Sequence, residues 1–175
     1  SSNKFVAYDG VDFYIPTIED DSQISNQNIK ENIFLNSFNE IEPVEYIIIA
    51  RSEMLYEAER LGNINRDVNG LNVKVVELQK IYNEFSSGNQ DISAIRNFIR
   101  YVYNNSNNNN SLKYLCLFGD ASYDYKERIP NNTNIIPSWN SLNSFSLSSS
   151  YVSDDFFGMM DNGEGLMNNF NKLDI

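Results

Sequence analysis

A chain of 175 residues can form one domain with a sizeable core, and 41% hydrophobic residues with 13% aromatics exclude a disordered composition. The formal net charge of -11 excludes the basic stripe of a nucleic-acid binder and docking on an anionic membrane surface. A single cysteine and no histidine exclude an internal disulfide, a zinc site built on several thiolates, and any Cys-His or Ser-His catalytic pair drawn from this sequence alone.

No run approaches the roughly 20 apolar residues that span a bilayer. The sequence opens on Ser1-Ser2 and stops at Leu173-Asp174-Ile175, so both ends read as cuts in something longer. Residues 1–40 mix short apolar pieces, Phe5 to Tyr8 and Phe13 to Ile15, with turns such as Asp9-Gly10. Asp-Gly between strand-like pieces is a hairpin signal, so this part is expected to be a β-rich lead-in.

Tyr46-Ile47-Ile48-Ile49-Ala50 is a continuous apolar run between polar residues, the pattern of a strand buried on both faces of a parallel sheet. Ser52 then offers an N-cap, with Leu55, Ala58 and Leu61 at helical spacing. Gly62 and the polar residues 63–69 are expected to end that helix. Val73 to Val76 reads as the next strand and Leu78 to Phe85 as a short helix or turn. Asp91 caps a helix whose stripe is Ile92, Ile95, Ile99 and Val102, with Phe98 beside it. The tract Asn104 to Asn110 closes it as a solvated loop. Tyr114-Leu115-Cys116-Leu117-Phe118 is the second continuous apolar strand. The alternation β-α-β-α-β predicts an α/β fold, a parallel sheet flanked by helices in a three-layer sandwich.

Ligands of open parallel sheets bind beyond the carboxyl ends of the strands. Gly119-Asp120 stands at such an end and Asp124 follows in the same loop. The plainer reading is that Asp120 caps a turn and Asp124 faces water. Ser153-Asp154-Asp155 and Asp161 to Gly165 form a second acidic group. Clustered carboxylates suit calcium, but the spacing departs from the Asp-x-Asp-x-Asp-Gly loop, and a Gly-rich hairpin with solvated acids is the better-supported reading. Cys116 sits mid-strand among apolar residues, where burial raises a thiol's pKa; it reads as core rather than nucleophile. No G-x-G-x-x-G follows the first strand and no G-K-[ST] occurs, which weakens a nucleotide-binding reading.

Several stretches go beyond composition. Residues 81–98, Leu115 to Lys126, Ile136-Pro137-Ser138-Trp139 with Asn140-Ser141-Leu142, and Tyr151 to Gly158 form an ordered series of motifs, with Asn26-Gln27-Asn28 as a lead-in. Together they resemble the type IX secretion sortases of the gingipain-type cysteine peptidase family, from about residue 5 to the end. That resemblance implies a caspase-like fold, with residues 1–40 as lead-in and 41–175 as the N-terminal part of the peptidase domain. It implies a cell-surface protein at the outer membrane that removes the C-terminal signal domain of exported cargo and joins the new end to lipopolysaccharide, alongside outer-membrane secretion components. In this family the His-Cys dyad lies further along the polypeptide, so no catalytic residue is assigned here. Asp120, Asp124, Ser153, Asp154 and Asp155 fall in the motif loops, and the family's frequent calcium binding directs attention to Asp154 and Asp155. The alternative is a stand-alone flavodoxin-like binding module that uses the Asp120–Tyr125 and Ser153–Gly158 loops.

Overall fold

Strand β1, Tyr46–Ala50, is the centre of the sheet, and its alternation explains the layers around it. The computed structural model describes residues 27–106, 111–126, 128–141, 146, 150–161 and 163–164. Side chains of successive strand residues leave opposite faces. Ile47 and Ile49 accordingly enter a large core cluster on one face, while Ile48 and Ala50 enter a smaller one on the other. Ile47, Ile48 and Ile49 are all at 0% exposure. Each contributes roughly 1.5–3 kcal/mol of burial, which is why a run with no polar position belongs in the middle of the sheet.

Strands β2 (Val73–Glu77) and β3 (Tyr114–Phe118) flank β1, and both pairs are parallel. The order is β2-β1-β3, with Ile48 level with Val75 on one side and Cys116 on the other. Helix α2, Leu55–Asn69, covers the small cluster through Ala58. Helices α3, Leu78–Phe85, and α4, Ile92–Asn105, cover the large one through Ile81, Ile95, Phe98, Ile99 and Val102. The α/β sandwich expected from the sequence is the fold observed.

Two local expectations are corrected. Helix α2 does not stop at Gly62 but runs to Asn69, and the residue that ends it is Gly70, in left-handed conformation at φ 63°. Gly62 serves packing instead: a Cβ there would lie 3.2 Å from Val75 Cγ2. Ser52 does not cap α2 either. It begins a 3-10 turn, Ser52–Met54, and its hydroxyl donates to Glu53. The Asp91 cap is as expected, its carboxylate accepting from the Ser93 amide at 2.8 Å.

The strand-like pieces expected before residue 27 lie outside the described residues, as do residues 107–110 of the Asn-rich tract. Within residues 27–40, Ile29–Asn32 forms the short helix α1, and Leu35 makes an antiparallel bridge with Ile41. Ile29 and Ile33 are buried in the large cluster. The Glu84 carboxylate accepts from the Ile29 and Lys30 amides at 2.8 and 3.2 Å, fixing this segment to α3.

Candidate functional site at the carboxyl edge of the sheet

All three parallel strands end on the same side of the sheet, so the residues that follow them gather there. After β1 come Arg51, Ser52 and Glu53, after β2 the start of α3, and after β3 Gly119 and Asp120. Gly119 has φ 148°, and a Cβ on it would lie 2.4 Å from Ile135 Cγ2 and 2.8 Å from Ile135 Cβ. Only glycine fits this approach. It lets the Asp120 carbonyl accept from the Ile135 and Ile136 amides at 2.8 and 3.1 Å, pinning the segment around residue 135 against the strand end.

Asn134, buried at 7% exposure, links that segment further. Its side-chain oxygen accepts from the Ser122 amide at 3.0 Å, and its carbonyl receives Arg51 at a long 3.5 Å. The Arg51 guanidinium is otherwise held loosely, 3.8 Å from Glu53. Beyond residue 135 the chain forms β4, Trp139–Asn140, antiparallel to β5, Val152–Ser153. The 3-10 turn Asp155–Gly158 then buries Phe156 and Phe157 in the large cluster. Arg96 of α4 clamps this turn by donating to the Met159 carbonyl at 2.8 Å and lying over the Phe156 ring. The stretch from Ser153 is therefore an anchored turn with two buried aromatic rings, on which the Asp154 and Asp155 side chains remain exposed; residues 162 and 165 of the Gly-rich part lie outside the described residues.

Three depressions lie along this edge. The first, about 300 Å³, is bounded by Arg51, Glu53, Glu77, Tyr82 and Gln90 among others. The second, about 270 Å³, by Gln90, Asp91, Tyr125, Ser138 and Asn140. The third, about 310 Å³, by Tyr123, Asn140, Ser141 and Tyr151. Gln90 belongs to the first two walls and Asn140 to the last two.

The five positions singled out from the sequence sit near this edge without converging on one cavity. None of them lines any of the three depressions. Asp120 is exposed beyond β3. Asp124 closes a turn, its carboxylate accepting from the Ile129 amide at 2.6 Å while Asn132 donates to its carbonyl. The Ser153 hydroxyl accepts from the Asp155 amide at 3.1 Å. Asp154 and Asp155 are exposed side by side; desolvation, then the Asp155 charge, raises the Asp154 carboxyl above its ordinary value. Among the described residues no group of three or more Asp, Glu or Cys side chains comes together to hold an ion. The donor set at Asp154 and Asp155 therefore does not fit a calcium site by itself.

Cys116 is half-buried on β3, against the small cluster rather than fully enclosed. Desolvation raises its thiol, with a smaller opposing effect from the Tyr46 hydroxyl. A thiol shifted upward, with no imidazole in the sequence, is not an activated nucleophile.

The sequence reading missed Arg51, Tyr82, Gln90 and Asn134. The rule that pointed to Gly119-Asp120 also applies to the ends of β1 and β2, and would have found Arg51 and Glu77.

With this geometry in place, comparison with known proteins gives the class first. Residues 39–175 match peptidase family C25, and the chain belongs to that family. It is part of a gingipain-type peptidase domain, as its motif series implied. Among solved structures it is similar to dimeric latent PorU from Porphyromonas gingivalis, at 31% identity and a TM-score of 0.55 over 70% of this chain. The match covers 13% of that chain. No curated protein matches the sequence. Among the described residues no helix is long and apolar enough to cross a membrane.

Proposed function

We propose that this chain is the first part, residues 41–175 after a lead-in of residues 1–40, of the peptidase domain of a cell-surface cysteine peptidase and sortase. The complete protein removes the C-terminal signal domain of type IX cargo and joins the new end to lipopolysaccharide, working with outer-membrane secretion components. The observation that carries this reading is the similarity to PorU, 31% identical over 70% of this chain.

In this reading the chain supplies a scaffold rather than the reacting groups. A peptidase thiol needs an adjacent base, and the sequence holds no histidine. The dyad comes from a later segment, and the parallel sheet with its glycine-fixed Gly119 turn gives that segment a rigid platform.

The test incubates the complete protein with a cargo protein bearing its signal domain and with lipopolysaccharide. Loss of the signal and a lipopolysaccharide-linked product are expected, whereas the 175-residue chain gives no hydrolysis. Hydrolysis by the short chain through Cys116 overturns the scaffold reading. A complete protein that leaves the cargo intact overturns the sortase reading.

A further inference from the structure

The segment ahead of β1 is bound to the body of the domain at many points. Residues 29–38 precede the range matched by the family, which begins at residue 39. Ile29 and Ile33 nevertheless sit in the large core cluster at 6% and 5% exposure. Both oxygens of the Glu84 carboxylate are engaged there, one by the Ile29 amide and the other by the Lys30 amide. Hydrogen bonds to an ionised acceptor are the stronger kind. The Lys30 ammonium lies 4.7 Å from the centre of the Phe85 ring and 5.9 Å from that of Tyr101. The Tyr101 hydroxyl donates to the Lys30 carbonyl at 3.1 Å, and its ring packs 6.1 Å from that of Phe34. Further on, Lys74 of β2 donates to the Leu35 carbonyl at 2.8 Å, and the Asn72 side chain donates to Glu42 at 2.7 Å.

Most of these contacts converge on one short element. Helix α3 has eight residues. Isolated helices under about 12–15 residues are marginal in water, so α3 depends on what it packs against. Leu78, Ile81 and Tyr82 are its buried residues. Its last turn, with Glu84 and Phe85, is gripped by the segment carrying Ile29 and Lys30. Its first turns stand at the carboxyl edge, where Leu78, Gln79 and Tyr82 line the first depression. A helix of this length spans only about 12 Å. The gripped end and the wall of the depression therefore belong to one small rigid piece. None of the hydrogen bonds named above reaches β1 or β3.

We propose that residues 29–42 are a strap whose grip sets the position of α3. Detaching the strap loosens this helix, and with it one wall of the first depression, while the sheet stays folded. Residues 1–26 are joined by the chain to the start of the strap, so a pull on them is passed to α3.

The test follows hydrogen exchange by mass spectrometry in the complete protein, for the wild type, Ile29→Ala, Glu84→Ala and, as control, Gly70→Ala. Glu84→Ala removes the grip without lowering helix propensity, since alanine is the best helix former. Gly70→Ala strains the turn after α2, away from the strap. A local opening exposes the amides of its own unit while the rest remain protected. The peptide covering Leu78–Phe85 is expected to exchange at least about tenfold faster in both strap variants, at times when β1 and β3 are still protected. In Gly70→Ala it keeps the wild-type rate. Unchanged exchange of α3 in either folded strap variant overturns the proposal. Exchange of α3 in step with β1 and β3 overturns it too, because residues 29–42 would then be ordinary core. Equal acceleration of α3 by Gly70→Ala has the same consequence. Should Ile29→Ala fail to fold, Glu84→Ala carries the test, its side chain being only partly buried.

Discussion

Replacing Gly119 by alanine tests how tightly the strand end and the segment around residue 135 are joined. Two costs combine. A non-glycine residue held at φ 148° carries about 1–3 kcal/mol of backbone strain. The new methyl also falls 2.8 Å from Ile135 Cβ, an atom that no rotamer change can move. Overpacking of this kind costs about 1–3 kcal/mol. Together they predict about 2–6 kcal/mol for Gly119→Ala, with loss of the hydrogen bonds from Ile135 and Ile136 to Asp120. Gly70→Ala is the control, since Gly70 has φ 63° but nothing within 4 Å of an added Cβ. It should lose only about 1 kcal/mol. Urea unfolding of the complete peptidase domain, compared at equal m-value, measures both. If Gly119→Ala proves as mild as Gly70→Ala, the close approach is not a constraint and the reasoning fails.

Asp91→Ala removes the cap of α4 and should lower stability by about 1 kcal/mol, read from the urea midpoint; an unchanged midpoint contradicts the capping role. A hydrogen bond from Lys113, then one from the Asn72 amide, holds the Glu45 carboxyl below its ordinary value. A carboxyl lowered in the folded state stabilises above its unfolded pKa and loses that contribution as pH falls through the lowered folded value. Glu45→Gln should therefore flatten the fall in Tm as pH drops through and below the ordinary carboxylate range, and parallel curves would refute it. Cys116→Ala should cost about 1 kcal/mol, as a half-buried core side chain, and leave cargo cleavage by the complete protein intact; loss of cleavage at wild-type Tm contradicts the assignment.

The sheet was legible because β1 and β3 are uninterrupted apolar runs, although only β1 is enclosed on both faces while the residues of β3 are partly buried and Tyr114 is exposed. Helix α2 was misread at its end because Gly62 looks like a terminator, whereas its missing side chain admits Val75. The polar residues after it are helical for a reason that lies outside the helix: Arg66 donates to the Val73 carbonyl at 2.8 and 3.2 Å, a bond to β2 that no local pattern reveals. The edge site was half legible. Asp120 stands where a strand visibly ends, but Arg51 and Asn134 meet across 83 positions of sequence. The sequence from Ala121 to Tyr151 has no period from which Ser138 and Asn140 could be placed.

The strand order β2-β1-β3 also sets a timetable for folding. The earliest of the three strands to be synthesised occupies the middle, so its two edges are claimed at different times, first by a neighbour ending at Glu77 and then by one ending at Phe118. The first pairing closes a short loop that one helix already spans, while the second must bring back a much longer stretch of chain. Until that return, one flank of the Ile-rich ribbon stays open to any passing strand, which makes the interval before residue 118 joins the period of greatest vulnerability to misassembly.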